Sequence, residues 1–270
     1  MNTDLRANLI IVALFFCVSL PCLADTATSA IPASATPSPS QGVFSPSPAG
    51  TTASATVPSD SNYKAHYPWN KECEDRVASM KGKPCDLIFI GDSITQNFVE
   101  RPTPKWGSVG VAVWDQYYAS RRALDFGVGA DTTQNVLWRL EHMDIKDFKP
   151  KVAVILIGTN NTKNSPAEIA DGVKAVVEET RQVFPEAKII LVSILPNARA
   201  TGKMVEVNKT IRTFGDNESV FYLDLAAKMP PVGNSWKGLG PDRLHLTPEG
   251  YEIWASEMEP LLSKLIAEKP

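Results

Sequence analysis

Histidine is scarce in this chain: three in 270 residues, with four cysteines beside them. His66, His142 and His245 stand far apart and share no metal-ligand spacing with Cys, Asp or Glu, so metal hydrolysis is not expected. Basic residues never form a run. The 27 Lys and Arg are dispersed among 30 Asp and Glu for a net charge of −3, which excludes the concentrated cationic face that nucleic acid requires. No phosphate-loop GK[ST] occurs, and after Gly127-x-Gly129 the third glycine of a dinucleotide fingerprint is replaced by Thr132. No cofactor is expected. The longest apolar stretch, Leu9 to Leu20, is too short for a hydrocarbon core about 30 Å thick.

That stretch follows Arg6 and precedes Cys22-Leu23-Ala24, whose small residues suit signal peptidase, so residues 1–24 read as a cleaved signal peptide. An exported protein, secreted or held in the periplasm or cell envelope, is expected; a lipoprotein or an uncleaved anchor are the alternatives. From Asp25 to Asn62 the chain is Ala, Thr, Ser and Pro with no Lys or Arg, as in TPSPSQGVFSPSPAG. Such a segment buries too little apolar surface to offset its ordering entropy and is expected to be a disordered tether over 25–62. Cys17 and Cys22 would leave with the signal. Cys73 and Cys85 would remain in an oxidising compartment, where one disulfide between them is expected, with two separately buried thiols as the alternative.

Beyond Tyr63 short apolar runs alternate with longer amphipathic ones, the pattern of a mostly parallel sheet covered by helices on both faces. Residues 63–270 therefore form one folding unit, an α/β three-layer sandwich around five strands at Leu87–Ile90, Ala123–Phe126, Val152–Ile157, Ile189–Ile194 and Val220–Leu223. Ser165-Pro-Ala-Glu168 has the spacing of a capping box, Thr247-Pro248 opens the last helix, and Asp131 is read as the cap of the helix that ends near His142.

In an open parallel sheet the loops leaving the carboxyl ends of the strands meet on one rim, where ligands bind. Polar, glycine-bearing segments occupy those positions here: Gly91-Asp92-Ser93-Ile94-Thr95, Gly127-Val128-Gly129-Ala130-Asp131, Gly158-Thr159-Asn160-Asn161 and, late in the chain, Asp242-Arg243-Leu244-His245. A serine hydroxyl attacks an ester only when a base takes its proton, and imidazole suits that task near neutrality. His66 and His142 are poorly placed for the rim, which leaves His245, with Asp242 three residues earlier to orient it. The amide donors for the oxygen that turns negative would be the Ser93 backbone, Gly129 or Ala130, and the Asn160 side chain.

GDSIT, GVGADTTQNVLWRL, ILIGTNN and DRLHLTPEGY resemble, in order and spacing, the four blocks of the SGNH (GDSL-type) hydrolases. The second and third blocks are most similar to the branch holding the catalytic subunits of platelet-activating factor acetylhydrolase Ib and related bacterial acyl esterases. The resemblance spans roughly Trp69 to Ile266. It implies a flavodoxin-like fold, Ser93 as nucleophile, Asn160 in the oxyanion hole, and Asp242 and His245 as acid and base. The family's second-block glycine is Ala130 in this sequence, which leaves the donating amide open between Gly129 and Ala130. Asp92 and Trp236 are candidate substrate contacts, Trp236 because its loop leads into Asp242. Trp106 and Trp114 are read as packing.

The activity implied is hydrolysis of short acyl esters, acetyl above all, with a carbohydrate as the alcohol. A lysophospholipase or thioesterase of the same fold is the alternative within the enzyme class, and a non-catalytic carbohydrate-binding surface module the alternative outside it. No residue pattern marks an interface between copies.

Overall fold

The computed structural model describes residues 54–60, 69–100 and 109–267. The expected signal peptide, most of the tether, His66 and Trp106 lie outside them.

Five strands, β1 (Leu87–Gly91), β2 (Ala123–Gly127), β3 (Val152–Leu156), β4 (Lys188–Val192) and β5 (Val220–Leu223), form one sheet in the order β2-β1-β3-β4-β5, parallel throughout. Each was legible as an apolar run because side chains are buried on both faces. Ile88 and Ile90 enter one core with residues from α1 (Trp69–Met80), α4 (Thr133–His142), α5 (Pro166–Val183) and α6 (Thr201–Ile211). Leu87 and Phe89 enter the opposite core, with α3 (Val111–Tyr117) and α7 (Pro248–Ala267). The expected three layers are present. Helix α5 starts as its sequence dictates: Glu168 N–H donates to Ser165 Oγ, Ser165 N–H donates to Glu168 Oε2, and Pro166 takes the first helical position.

The strand order reverses beside β1, so the chain that leaves β1 runs to β2 on one side and the chain that leaves β3 runs to β4 on the other. In such sheets a crevice opens between the carboxyl ends of the two central strands. The short helix α2 (Ser93–Gln96) rises directly from β1 at that crevice. Gly91 makes the turn possible. A Cβ there would lie 2.2 Å from Thr95 Oγ1 and 2.5 Å from the Leu156 carbonyl.

Three expectations need revision. Residues 54–60 fall inside the expected tether yet lie on the folded body: Ala55 is buried against Gly172, its carbonyl accepts Thr133 Oγ1–H at 2.8 Å, and Ser59 exchanges hydrogen bonds with Gln134 and Asn135. Backbone groups make most of these contacts, so a composition poor in large apolar residues does not prevent them. Cys73 and Cys85 are not bridged. Cys73 packs with Trp69 and Val128, while Cys85 belongs to the core under α4 and α5, where burial pushes its thiol up to about 12. Asp131 does not cap α4. Thr132 does, donating through both N–H and Oγ1 to Asn135 Oδ1, and Asp131 turns inward.

Candidate active site

Ser93 is the first residue of α2, and the Asp92 carboxylate before it accepts the Ile94 amide at 2.9 Å. Asp92 is fully buried, which removes it as a substrate contact; it supports the turn that carries Ser93. Burial pushes its carboxyl up to about 7 against the Ile94 hydrogen bond, which pulls the other way; Asp131 adds to the rise and Arg199 opposes it.

His245 arrives from a loop that closes on itself. Gly240 N–H donates to the His245 carbonyl at 2.8 Å, and Arg243, at φ 53, makes the tight turn between Asp242 and His245. That turn lets one carboxylate serve three donors. Asp242 Oδ1 accepts the Leu244 and His245 amides at 3.1 Å each, and Oδ2 lies 2.6 Å from His245 Nδ1. Partial burial raises the Asp242 carboxyl, but these hydrogen bonds outweigh it and hold the group below the ordinary carboxylate range. An ionised carboxylate only accepts, so Nδ1 carries a hydrogen, and in the neutral ring Nε2 offers its lone pair. Nε2 stands 2.9 Å from Ser93 Oγ. A hydroxyl, an imidazole and a carboxylate in this sequence can pass the serine proton to the ring as the oxygen attacks.

Two further contacts fasten the halves of the crevice together. Tyr251 of α7 donates its hydroxyl hydrogen to the Ile94 carbonyl at 2.6 Å. Gly238, at φ 80, passes so close to Gly250 that a Cβ on Gly250 would lie 2.2 Å from the Gly238 carbonyl oxygen, which also accepts the Thr247 amide at 2.8 Å.

Across the crevice, Asn160 follows β3. Its Nδ2 donates to the Asp131 carbonyl at 2.9 Å and stands 3.4 Å from Asp92 Oδ2, while Oδ1 accepts from Arg199 Nη1 at 3.1 Å. Gly129 and Ala130 form the turn closed by Asp131 N–H and the Val128 carbonyl. Ala130 sits at φ 59, a left-handed conformation where glycine is at ease and a methyl group is not.

Sequence reasoning missed the frame beneath this turn. Asp131 and Arg139 are fully buried; Arg139 Nε donates to Asp131 Oδ2 at 2.8 Å and Trp69 Nε1 donates to Asp131 Oδ1 at 2.6 Å. Arg139 also donates to the Phe126 carbonyl at 2.8 Å and the Gly91 carbonyl at 3.3 Å, tying the ends of β2 and β1 together. The available signal was an arginine on the apolar face of α4, beside buried Val136, Leu137 and Leu140.

The remaining expectations divide. Trp114 is core. His142 closes α4 with its ring stacked on Trp138, away from Ser93. Trp236 sits in a two-stranded hairpin. Strand β7 (Ser235–Trp236) pairs back on β6 (Pro231–Val232), and the indole lines a separate cavity of ≈ 330 Å³ with Ile194, Met204, Met229 and Pro231, among others; none of Ser93, Asn160, Asp242 or His245 lines it. Among the described residues no group of His, Cys, Asp and Glu could hold a metal ion.

A sequence profile of the GDSL-like lipase/acylhydrolase family matches residues 89–253. Platelet-activating factor acetylhydrolase IB subunit alpha2 of Rattus norvegicus is 30% identical over 208 residues, covering 75% of this chain and 86% of its own. The chain belongs to this family. This acylhydrolase is accordingly an ester-hydrolysing enzyme. Its fold matches a GDSL-like lipase of Bacteroides thetaiotaomicron (TM-score 0.57, 18% identity, 73% of this chain and 98% of that one). It also matches a carbohydrate esterase family 3 protein of Talaromyces cellulolyticus (TM-score 0.54, 16% identity, 69% and 100%).

Proposed function

We propose that this acylhydrolase cleaves short acyl esters, acetyl in the first place, through a covalent Ser93 acyl-enzyme. The observation that carries the reading is the continuous line from Asp242 Oδ2 to His245 Nδ1 at 2.6 Å and from His245 Nε2 to Ser93 Oγ at 2.9 Å. His245 takes the Ser93 proton as Oγ bonds to the ester carbonyl carbon; the C–O bond to the alcohol breaks, and the alcohol leaves with that proton. Water, deprotonated by His245, then attacks the acyl carbon, releases the carboxylic acid and returns the proton to Ser93. During each step Asn160 Nδ2–H and a backbone amide of the Gly129-Ala130 turn donate to the oxyanion, each donor worth roughly 3–4 kcal/mol.

The acetyl preference is supported by the relatives named acetylhydrolases. The alcohol is read as a carbohydrate and the site of action as outside the cytoplasm; both rest on the signal-like residues 1–24 and the Ser/Pro-rich stretch after them. The test is hydrolysis of aryl acetate, butyrate and octanoate by the wild type and Ser93→Ala, followed by acetylated xylan against a lysophospholipid. Loss of activity in Ser93→Ala, with acetate and the glycan preferred, is expected. Wild-type turnover by Ser93→Ala would overturn the mechanism, and preference for the lysophospholipid would overturn the substrate.

A further inference from the structure

Arg199 belongs to none of the four sequence blocks. It stands in the segment between β4 and α6, whose backbone is fixed on both sides: Asn197 Oδ1 accepts the Arg199 amide at 3.0 Å and the Ala200 amide at 3.1 Å, and Ala198 N–H donates to the Arg243 carbonyl at 2.9 Å. This anchors the base of Arg199 to the loop that carries His245. Its side chain is exposed, yet among the described residues it is not spent on an ion pair; Nη1 donates to Asn160 Oδ1 at 3.1 Å.

We propose that Arg199 is a positioning residue for the oxyanion-binding amide, an inference that rests on the reading of Asn160 above. A guanidinium only donates and a carbonyl oxygen only accepts. With Arg199 at one end of the Asn160 amide and the Asp131 carbonyl at the other, a single orientation satisfies both, and the flipped amide would set N–H against N–H and oxygen against oxygen.

The donor count then assigns the work. Nδ2 has two hydrogens, and the Asp131 carbonyl takes one. The second faces Asp92 Oδ2 at 3.4 Å, longer than the usual 2.7–3.2 Å, so it is weakly held and available to an oxyanion. Positive charge on the carbonyl end draws density from the amide nitrogen and makes that N–H a stronger donor, as in other linked hydrogen bonds. Arg199 thereby acts on the transition state through Asn160 without touching the ester.

The test is a double-mutant cycle on an aryl acetate, comparing wild type, Arg199→Met, Asn160→Ala and the pair. Removing an oxyanion donor costs about 10²–10³ in kcat, and loosening one should cost a fraction of that, ~5–20-fold for Arg199→Met with KM unchanged within about twofold. In the Asn160→Ala background the same substitution should change kcat by less than about twofold, because nothing remains to be positioned. Arg199→Lys, which keeps a donor, should fall between Met and wild type. An Arg199→Met loss that persists in full without Asn160 would overturn the proposal, as would a raised KM at constant kcat, which marks direct substrate contact. Should Asn160→Ala keep wild-type kcat while Ser93→Ala is inactive, the assignment of Asn160 itself fails, and the proposal with it. Thermal unfolding of each variant identifies a fold defect, which an exposed side chain such as Arg199 is not expected to produce.

Discussion

Arg139 Nε meets Asp131 Oδ2 at 2.8 Å with neither side chain exposed to solvent, eight residues apart in the chain. The pair lies directly under the crevice, since the Asp131 carbonyl holds Asn160 and the Arg139 guanidinium holds the carbonyls that end β1 and β2. Removing one partner of a buried pair leaves an uncompensated charge and costs roughly 3–5 kcal/mol. Arg139→Met should lower the urea midpoint accordingly, while the exposed Arg181→Met on α5 should leave it within about 0.5 kcal/mol. A small loss at Arg139 would mean that water reaches Asp131.

Stability should fall as pH rises toward neutrality. Asp125 is buried, and burial pushes its carboxyl up to about 7; Arg76, the Gly127 amide and Arg139 oppose the rise, and Glu100 adds to it. In the unfolded chain the same group titrates near 3.9. Between those values the folded state binds the extra proton, so this contribution is complete below about pH 4 and is lost as pH rises through about 7. Asp125→Asn cannot titrate. Its melting temperature should gain on the wild type between pH 5 and pH 8.5, and parallel curves would contradict the assignment; Asp92, also raised to about 7, keeps a residual slope in both proteins.

Ala130→Gly should stabilise the protein. The left-handed φ of 59 costs a residue with a Cβ about 1–2 kcal/mol. Glycine gives back about 0.4–1 kcal/mol through the freer unfolded chain, which leaves a net gain of up to about 1.6 kcal/mol. Differential scanning calorimetry at pH 5, where Asp125 and Asp92 are protonated, reads it directly; a loss would show that the methyl group has packing partners worth more than the strain.

A chain started at Tyr63 should be less stable than one started before Ser54. The truncation deletes buried Ala55 and the hydrogen bonds to Thr133, Gln134 and Asn135. At about 0.5–1.5 kcal/mol for each of these hydrogen bonds and roughly 2–4 °C per kcal/mol for a domain of this size, a loss of about 3–18 °C is expected. Equal melting temperatures would mean that the segment leaves the surface in solution.

The parallel sheet could be read from residues because strands buried on both faces are mostly apolar, Asp125 in β2 and Lys188 in β4 being exceptions, and the cap of α5 because its determinants lie three residues apart. Ser93, Asn160, Asp242 and His245 were found for a related reason: each follows a strand end or sits in a short self-contained turn. What escaped reading depends on distance. Trp69 reaches Asp131 across 62 residues, and Asp131 looked like a cap because local sequence cannot distinguish a carboxylate facing outward from one facing a buried guanidinium. Cys73 and Cys85 are close in number, but Cys73 sits on α1 and Cys85 in the segment before β1, and they enter different parts of the core. Trp236 lies in a hairpin turned at Gly233 (φ 58) and lines a cavity with residues of α6, an arrangement that its closeness in number to Asp242 does not reveal.

The contact between Gly238 and Gly250 sets how closely the loop that carries the imidazole approaches the final helix. Because the loop and the final helix touch there through bare backbone, any larger residue at position 250 has to lever the loop outward, and the displacement would be felt at the far end, where an attack depends on tenths of an ångström. Reshaping this enzyme for bulkier esters is therefore better begun on the Asn160 side of the cleft, leaving that hinge of two glycines as it is.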